Sequence, residues 1–304
     1  MIVLIAGGTG MIGRAVSEEL ALQGHEAHTL TRSAEVAEAY PTAHLWNPGS
    51  DSLDLAAISK DAGAPVDAII NLAGSSISKM PWTKARKNDI LQSRLESTAE
   101  LTGGMRRAKK KPAIFLSGSA VGIYGSRSDE TLTEKSSRGV GFLADVVEAW
   151  EAAAHAAPRG VKVVTLRTGI VLGPDGGALG PIQLLTKFFV AGPLAGGKQW
   201  WPWISLRDEA RAIVHLITAG VTGPVNLVGP NPATANTLMR TLAIQLRRPF
   251  LVPAPGFAIR AALGEAGDEI LLSSQKVIPA VLEDSGFVFH DVTVGQALAS
   301  ALQS

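Results

Sequence analysis

"IVLIAGGTGMIG", Ile2 to Gly13, opens with five apolar residues, passes through a cluster of glycines and continues into Met11, Ile12 and Gly13. An unbroken apolar run rich in Ile and Val reads as a strand buried on both faces. Ile12, Val16 and Leu20 then recur at helical spacing, which predicts a helix over Met11–Gln23. Between them, Gly7-x-x-Gly10-x-x-Gly13 and Gly8-x-Gly10-x-x-Gly13 both have the spacing of a turn that cradles a pyrophosphate. Such a turn needs residues without side chains, so that the anion can reach the amides at the helix N-terminus. Gly7, Thr9, Gly10, Met11 and Ile12 are therefore the expected contacts of a dinucleotide. The alternative is a strand-to-helix turn with a structural role only.

Outward from this stretch, strand candidates at 26–30, 43–46, 67–74, 112–120 and 161–169 are interleaved with helical stretches, Thr83–Arg107 and Phe142–Ala157 being the longest. The pattern predicts an α/β fold of the Rossmann type, a doubly wound parallel sheet with helices on both faces. The glycine-rich "GPDGGALGP" (173–181) ends the regular alternation. Beyond it, helices are expected at Pro181–Val190, Arg207–Ala219, Thr234–Leu246 and Thr293–Leu302, with short strands at Gln199–Ile204 and Val225–Val228. The expected organisation is a dinucleotide-binding domain over 1–174 and a smaller α/β substrate lobe over 175–304. That lobe includes a helical segment from about 250 to 304 and closes over the carboxyl edge of the sheet.

Composition narrows the function classes. The 304 residues are 46% hydrophobic and 18% charged, which supports a large core and argues against disorder. Lys plus Arg number 28 against 27 for Asp plus Glu, so a nucleic-acid partner is not expected. "RRAKKK" (106–111) ends a helix, where cations complement the dipole. The chain has no Cys, which removes thiolate chemistry and Cys-ligated metal. His25 and His28 point to opposite faces of their strand, so no metal is expected. No apolar run has the length of a membrane span, and the N-terminal run lacks a basic leader and breaks at Gly7-Gly8. The expectation is a cytoplasmic protein with a small-molecule substrate and no membrane partner, its oligomeric state left open.

The end of the second strand bears on the cofactor. An acidic residue there would hold the ribose hydroxyls of NAD. The chain has "TLTRSA" (29–34), with Thr31 and Arg32 and no carboxylate. A guanidinium can bind a 2′-phosphate bidentately, so NADP(H) is the expected cofactor. The alternative is an exposed loop arginine.

"AGGTGMIG" (6–13), "NLAG" (71–74), "LSGSAVGIYG" (116–125) and "LRTGIVLGP" (166–174) stand in the order of the extended short-chain dehydrogenase/reductases, which the chain resembles. "WTKARKNDILQSR" (82–94), "FLADVVEAWE" (142–151), "GGKQWWPWISLRD" (196–208) and "SQKVIPAVLEDSGF" (274–287) resemble its atypical, epimerase-like branch. That branch comprises NAD(P)-dependent nucleoside-sugar epimerases, also called cell-division inhibitor homologues, whose substrate is generally unassigned. The resemblance implies that Leu72, Ala73 and Gly74 lie against the adenine-side ribose and that Val171 follows the strand end facing the nicotinamide. It aligns Ser119 with the serine that hydrogen-bonds the substrate and Tyr124 with a tyrosine lining the pocket, and Ser117, two residues before Ser119 on the same strand end, is an expected cofactor contact. Asp89 and Arg94 are either cofactor contacts or an ordinary surface charge pair.

The chain departs from the pattern at the catalytic pair. It contains no Tyr-x-x-x-Lys; counted back from Trp150-Glu151, the two positions fall on Leu143 and Val147. Neither can transfer a proton. Ser119 and Tyr124 remain as catalytic candidates, each weighed against a packing role. Trp200, Trp201 and Trp203 form either a flat wall for a ligand ring or a plug between lobes. Lys198, with Arg207 and Asp208, is a candidate contact for a substrate phosphate or carboxylate. The reading is an NADP(H)-binding oxidoreductase or epimerase-like protein acting on a sugar nucleotide or carbonyl compound. The alternative is a non-enzymatic NADP(H) sensor or scaffold.

Overall fold

The computed structural model describes residues 1–174 and 191–303, with Gln183 and Thr186 between them. The helix expected over Pro181–Val190 lies outside the described residues. Seven parallel strands form the central sheet. Six come from the first part of the chain: β1 (Ile2–Ala6), β2 (Glu26–Thr31), β3 (Ala43–Leu45), β4 (Val66–Asn71), β5 (Ile114–Ala120) and, after the short β6 (Thr131–Leu132), β7 (Lys162–Thr168). β8 (Ile170–Leu172), β9 (Trp200–Trp201) and β10 (Trp203–Ser205) lie outside the sheet, and β11 (Gly223–Leu227) completes it. The order is β11-β7-β5-β4-β1-β2-β3. Chain direction across the sheet reverses between β1 and β4, so the crevice at their carboxyl ends is where such sheets bind ligands.

Both faces are covered, as the continuous apolar strands require. On one face α1 (Met11–Leu22) contributes Val16 and Leu20 to a core with Val3, Ile5 and Leu116. After α2 (Ala34–Ala39) and α3 (Leu55–Asp61), the other face is closed by α4 (Lys84–Arg107) and α5 (Phe142–His155). There Leu101, Met105 and Ala154 pack on Leu4, Ile69 and Phe115. Thr83 caps α4, accepting a hydrogen bond from the Arg86 amide, which is why the helix begins one residue later than its pattern suggests.

The seventh strand comes from beyond residue 174. α6 (Leu206–Thr218) lies on the α1 face, with Ala210, Ile213 and Leu216 in the same core, and delivers β11 to the edge beside β7. The sheet thus draws on both sides of the sequence boundary. What separates as a lobe is built from β12 (Ala233–Thr234), α7 (Ala235–Gln245), α8 (Gly256–Leu263) and α10 (Val294–Gln303), whereas β13 (Lys276–Val277) pairs with β6 and α9 (Ala280–Asp284) buries Leu282 in the core of the main sheet. The core of the lobe joins Leu238, Met239 and Leu242 to Val294 and Leu298, with Trp201 and Trp203 beneath. The strand expected over Gln199–Ile204 is two strands, because Pro202 has no N–H to continue a ladder.

Candidate functional site

The glycine turn begins where β1 ends. Gly7 has φ +85°, and a Cβ there would lie 2.8 Å from the carbonyl carbon and oxygen of Leu72, so only glycine lets β1 and β4 approach this closely. Gly13 presses α1 onto the turn: a Cβ on it would strike the Gly7 carbonyl and come within 2.6 Å of the Gly8 Cα. Gly10 differs. Its N–H donates to the Gly7 carbonyl at 3.1 Å, and a Cβ on it would meet only that oxygen, at 3.3 Å, with open space beyond. No side chain caps α1, and its first turn, Met11 and Ile12 included, holds no acidic residue. Free amides facing a space that a Cβ would fill are what a pyrophosphate needs, so these residues fit a dinucleotide. Arg14 donates to the Thr9 carbonyl at 2.7 Å and steadies the tip of the turn.

At the end of β2, Thr31 is buried and its hydroxyl accepts from the Ser33 amide, while Arg32 is exposed. Among the described residues Arg32 makes no ion pair or hydrogen bond. Leu72 and Ala73 leave β4 beside Gly7; the Ala73 amide donates to Asn71 Oδ1, and Asn71 donates to Thr98 of α4. Arg94 passes behind Gly74, donates to the Ser75 carbonyl at 3.0 Å and lies over the Trp150 ring. Burial first, then the nearby Arg86, lowers its pKa to about 10, so it stays charged at neutral pH. Asp89 accepts from the Ser75 hydroxyl at 2.8 Å and pairs with Arg86. Asp89 and Arg94 are thus not a charge pair with each other; both grip Ser75 and shape the turn after β4.

The catalytic candidates are drawn into a buried network that the sequence did not reveal. The Ser119 hydroxyl donates to Glu151 Oε1 at 2.6 Å. Arg167 forks onto the same carboxylate, Nε at 2.8 Å and Nη2 at 2.9 Å. Its third nitrogen donates to the Tyr124 hydroxyl at 3.0 Å, and Tyr124 donates to Asn226 Oδ1 at 2.7 Å. Tyr124 is 0% exposed. Burial raises its pKa despite Arg167, so it is a weaker acid than a free tyrosine. Burial also pushes the Glu151 carboxyl up, but the hydrogen bonds from Arg167 and Ser119 prevail and hold it below its ordinary range. Ser117, expected beside the cofactor, is fully buried, with its hydroxyl turned to the Gly118 carbonyl. Leu143 packs on Gly122, and Val147 is buried with Tyr124 and Val121.

Comparison with known proteins gives the family. Residues 3–229 match the NAD dependent epimerase/dehydratase family. The chain belongs to that family. Residues 254–301 match a second model, a domain of unknown function (DUF1731). An epimerase family protein of Mycobacterium leprae is 37% identical over 304 residues, 99% of this chain and 95% of that one. The chloroplastic SDR39U1 homolog of Arabidopsis thaliana is 35% identical, over 100% of this chain and 87% of that one. The crystal structure of human epimerase family protein SDR39U1 with NADPH superposes with a TM-score of 0.90 at 30% identity, covering 100% and 99% of the two chains.

Within this epimerase-family frame the remaining candidates divide. Trp201 and Trp203 are buried in the core of the lobe, and Trp200 is half-buried, donating to Asp129 at 2.8 Å beneath Lys276. Lys198 is exposed beside an open hollow of about 390 Å³ lined also by Ser126, Asp129, Arg260 and Ser274. Arg207 and Asp208 do not join it: Arg207 meets His290, and Asp208, buried, accepts from the amides of His290 and Asp291. Val171 lies in β8, paired with Ile204 of β10 just before α6. The residues missed from sequence are Glu151, Arg167, Asn226 and Glu134, whose carboxylate accepts from the Asn226 amide at 3.0 Å. One signal was available, since an arginine inside the apolar strand "VVTLRTG" requires a buried partner. Among the described residues no group of His, Cys, Asp and Glu could hold a metal ion, and no helix is long and apolar enough to cross a membrane.

Proposed function

We propose that this protein binds NADP(H) and uses it in oxidoreductase or epimerase-like chemistry on a small carbonyl compound or sugar nucleotide. The observation that carries the cofactor is the open cradle above Gly10 together with the unpaired Arg32 at the end of β2. When bound, the cofactor supplies or accepts a hydride; the protein must bind, orient and handle the proton. Met11 and Ile12 offer amides to the pyrophosphate, and Arg32 meets the 2′-phosphate. The NADPH in the human SDR39U1 crystal structure supports the same choice.

The proton is handled without the usual pair. Ser119 has given its hydrogen to Glu151, which leaves its oxygen lone pairs to accept from a substrate hydroxyl. A proton taken there passes to Glu151 through the hydrogen bond already formed. Tyr124 has no free face and serves to hold Arg167. A second reading, a redox sensor or scaffold, is favoured by one observation: the side chains at the Tyr and Lys positions are apolar, Leu143 half-buried and Val147 buried. The Cys-free composition fits a reducing compartment, the cytoplasm, although the Arabidopsis relative is chloroplastic. Titration with NADPH and NADH, followed by turnover on carbonyl and sugar-nucleotide panels, tests both readings. NADPH binding with Ser119-dependent turnover is the expected outcome. NADPH binding with no turnover on any panel favours the sensor, and no binding refutes both.

A further inference from the structure

Glu209 is a fully buried carboxyl group outside both the glycine turn and the Arg167 network. It stands in the first turn of α6. Oε1 lies 2.8 Å from the Thr168 hydroxyl, and Oε2 has no hydrogen-bond partner among the described residues. Burial, opposed only by the Thr168 hydroxyl, pushes its pKa up to about 8. The charges on the surrounding elements are committed elsewhere. On α6, Asp208 pairs with Arg211 and Arg207 meets His290. On α1, Arg14 holds Thr9, Glu19 accepts from Gln23, and Glu18 is exposed. On β7, Arg167 is forked on Glu151, and Asp291, beyond Asp208, accepts from Ser300.

Thr168 has a single hydroxyl hydrogen and two neighbours that bear on it. Its oxygen is 2.8 Å from Glu209 and 3.4 Å from the Leu166 carbonyl. If Glu209 is protonated, the acid donates to Thr168 and Thr168 donates to Leu166. If Glu209 is ionised, Thr168 must turn its hydrogen to the carboxylate and abandon Leu166. This residue ends β7, and the chain after it runs through β8 to Gly173. There a Cβ would lie 2.9 Å from Met11 Sδ and 3.1 Å from a Leu206 methyl. The starts of α1 and α6 therefore flank the same loop at the carboxyl edge of the sheet. An anionic Glu209 would act against the anion that the α1 amides attract.

We propose that Glu209 is a positioning residue of the dinucleotide site, a neutral acid that fixes the Thr168 turn and keeps negative charge away from the pyrophosphate. This rests on the NADP(H) reading above. Ionisation of Glu209 weakens the dinucleotide's hold.

The test compares wild type, Glu209→Gln and Glu209→Ala by fluorescence titration of NADPH from pH 6.5 to 9.5. By proton linkage, wild-type affinity falls about tenfold between pH 7 and 9, whereas Glu209→Gln binds well and shows no such fall. Glu209→Ala, which leaves Thr168 without a donor, binds more weakly throughout. An alkaline fall that persists unchanged in Glu209→Gln overturns the proposal. Urea unfolding of the ligand-free protein supplies an independent arm. The raised folded-state pKa means that the wild-type folding constant drops about tenfold per pH unit, relative to Glu209→Gln, between about pH 5 and 8, and levels off above. Parallel profiles overturn the neutral acid. No NADPH binding at any pH, with the unfolding difference intact, overturns the cofactor reading and this proposal with it. Normal binding with parallel profiles overturns the role of Glu209 alone.

Discussion

Gly10 and Gly13 belong to one motif but do different work, and two substitutions separate them. Gly10 has φ −74° and ψ 168°, a backbone any residue adopts, and a Cβ on it would touch only the Gly7 carbonyl at 3.3 Å. Gly10→Val should therefore fold, with stability changed by no more than about 1 kcal/mol, since its backbone is unstrained and the unfolded chain loses some freedom. Its methyls occupy the space that the pyrophosphate needs. Displacing the anion from the Met11 and Ile12 amides removes two charge-assisted hydrogen bonds of about 1.5–3 kcal/mol each, a loss of roughly 10²–10⁴ in affinity. Gly13→Ala fails in the opposite way. Its Cβ would lie 2.6 Å and 2.9 Å from backbone atoms of Gly8, which cannot yield as a side chain can, and overpacking of this kind costs about 1–3 kcal/mol. NADPH titration alongside thermal unfolding of the three proteins reads both effects. If Gly10→Val binds within threefold of wild type, or melts as early as Gly13→Ala, the phosphates do not lie over this turn as argued.

Arg32→Asp should remove the preference for NADPH over NADH, a charged contact of about 1.5–3 kcal/mol, and equal wild-type affinities for the two cofactors would refute its role. Tyr124→Phe should lower unfolding free energy by about 1–3 kcal/mol, because Asn226 Oδ1 and an Arg167 N–H lose their partner, with NADPH affinity unmoved; a stability-neutral variant would refute the network. Arg167→Met leaves Glu151 buried and unpaired, at about 3–5 kcal/mol, and adding Glu151→Leu should recover part of that loss in urea titrations. The lowered pKa of Glu151 contributes stability that is present at neutral pH and lost as pH falls through its folded-state value, below the ordinary carboxylate range. Glu151→Gln should flatten that acid limb, and an unchanged acid limb would show that Glu151 does not carry it.

The sheet was legible because its strands announce themselves twice, by unbroken apolar runs and by the turns that end them. Ile114–Ala120 and Lys162–Thr168 fall inside the stretches that their sequence marks. β11 was harder to place. "GPVNL" reads as a short strand, but nothing local says whether it pairs with β7 of the main sheet or with a strand of the lobe. That is decided by α6, whose apolar face fits the groove beside α1. Pairing partners are a property of distant surfaces, and a single sequence does not display them.

The site divides along the same line. Gly7, Gly10, Gly13 and Arg32 were legible because a backbone conformation or a free charge is a local property. Ser119 and Tyr124 were found by position, yet their chemistry is set by Glu151, Arg167 and Asn226, which lie 32, 43 and 102 residues away along the chain from the groups that they bond. The apolar pair makes the same point from the other side. Val147 is buried among Val121, Ile123, Tyr124, Leu132 and Val277, and Leu143 closes on Gly122. A lysine at 147 would bring an ammonium into this apolar cluster, beside a tyrosine already committed to Arg167. The missing relay is therefore not a gap that two substitutions would refill. Val147 fills the place of the lysine, and the proton transfer proposed above rests instead on Ser119 and the carboxylate behind it.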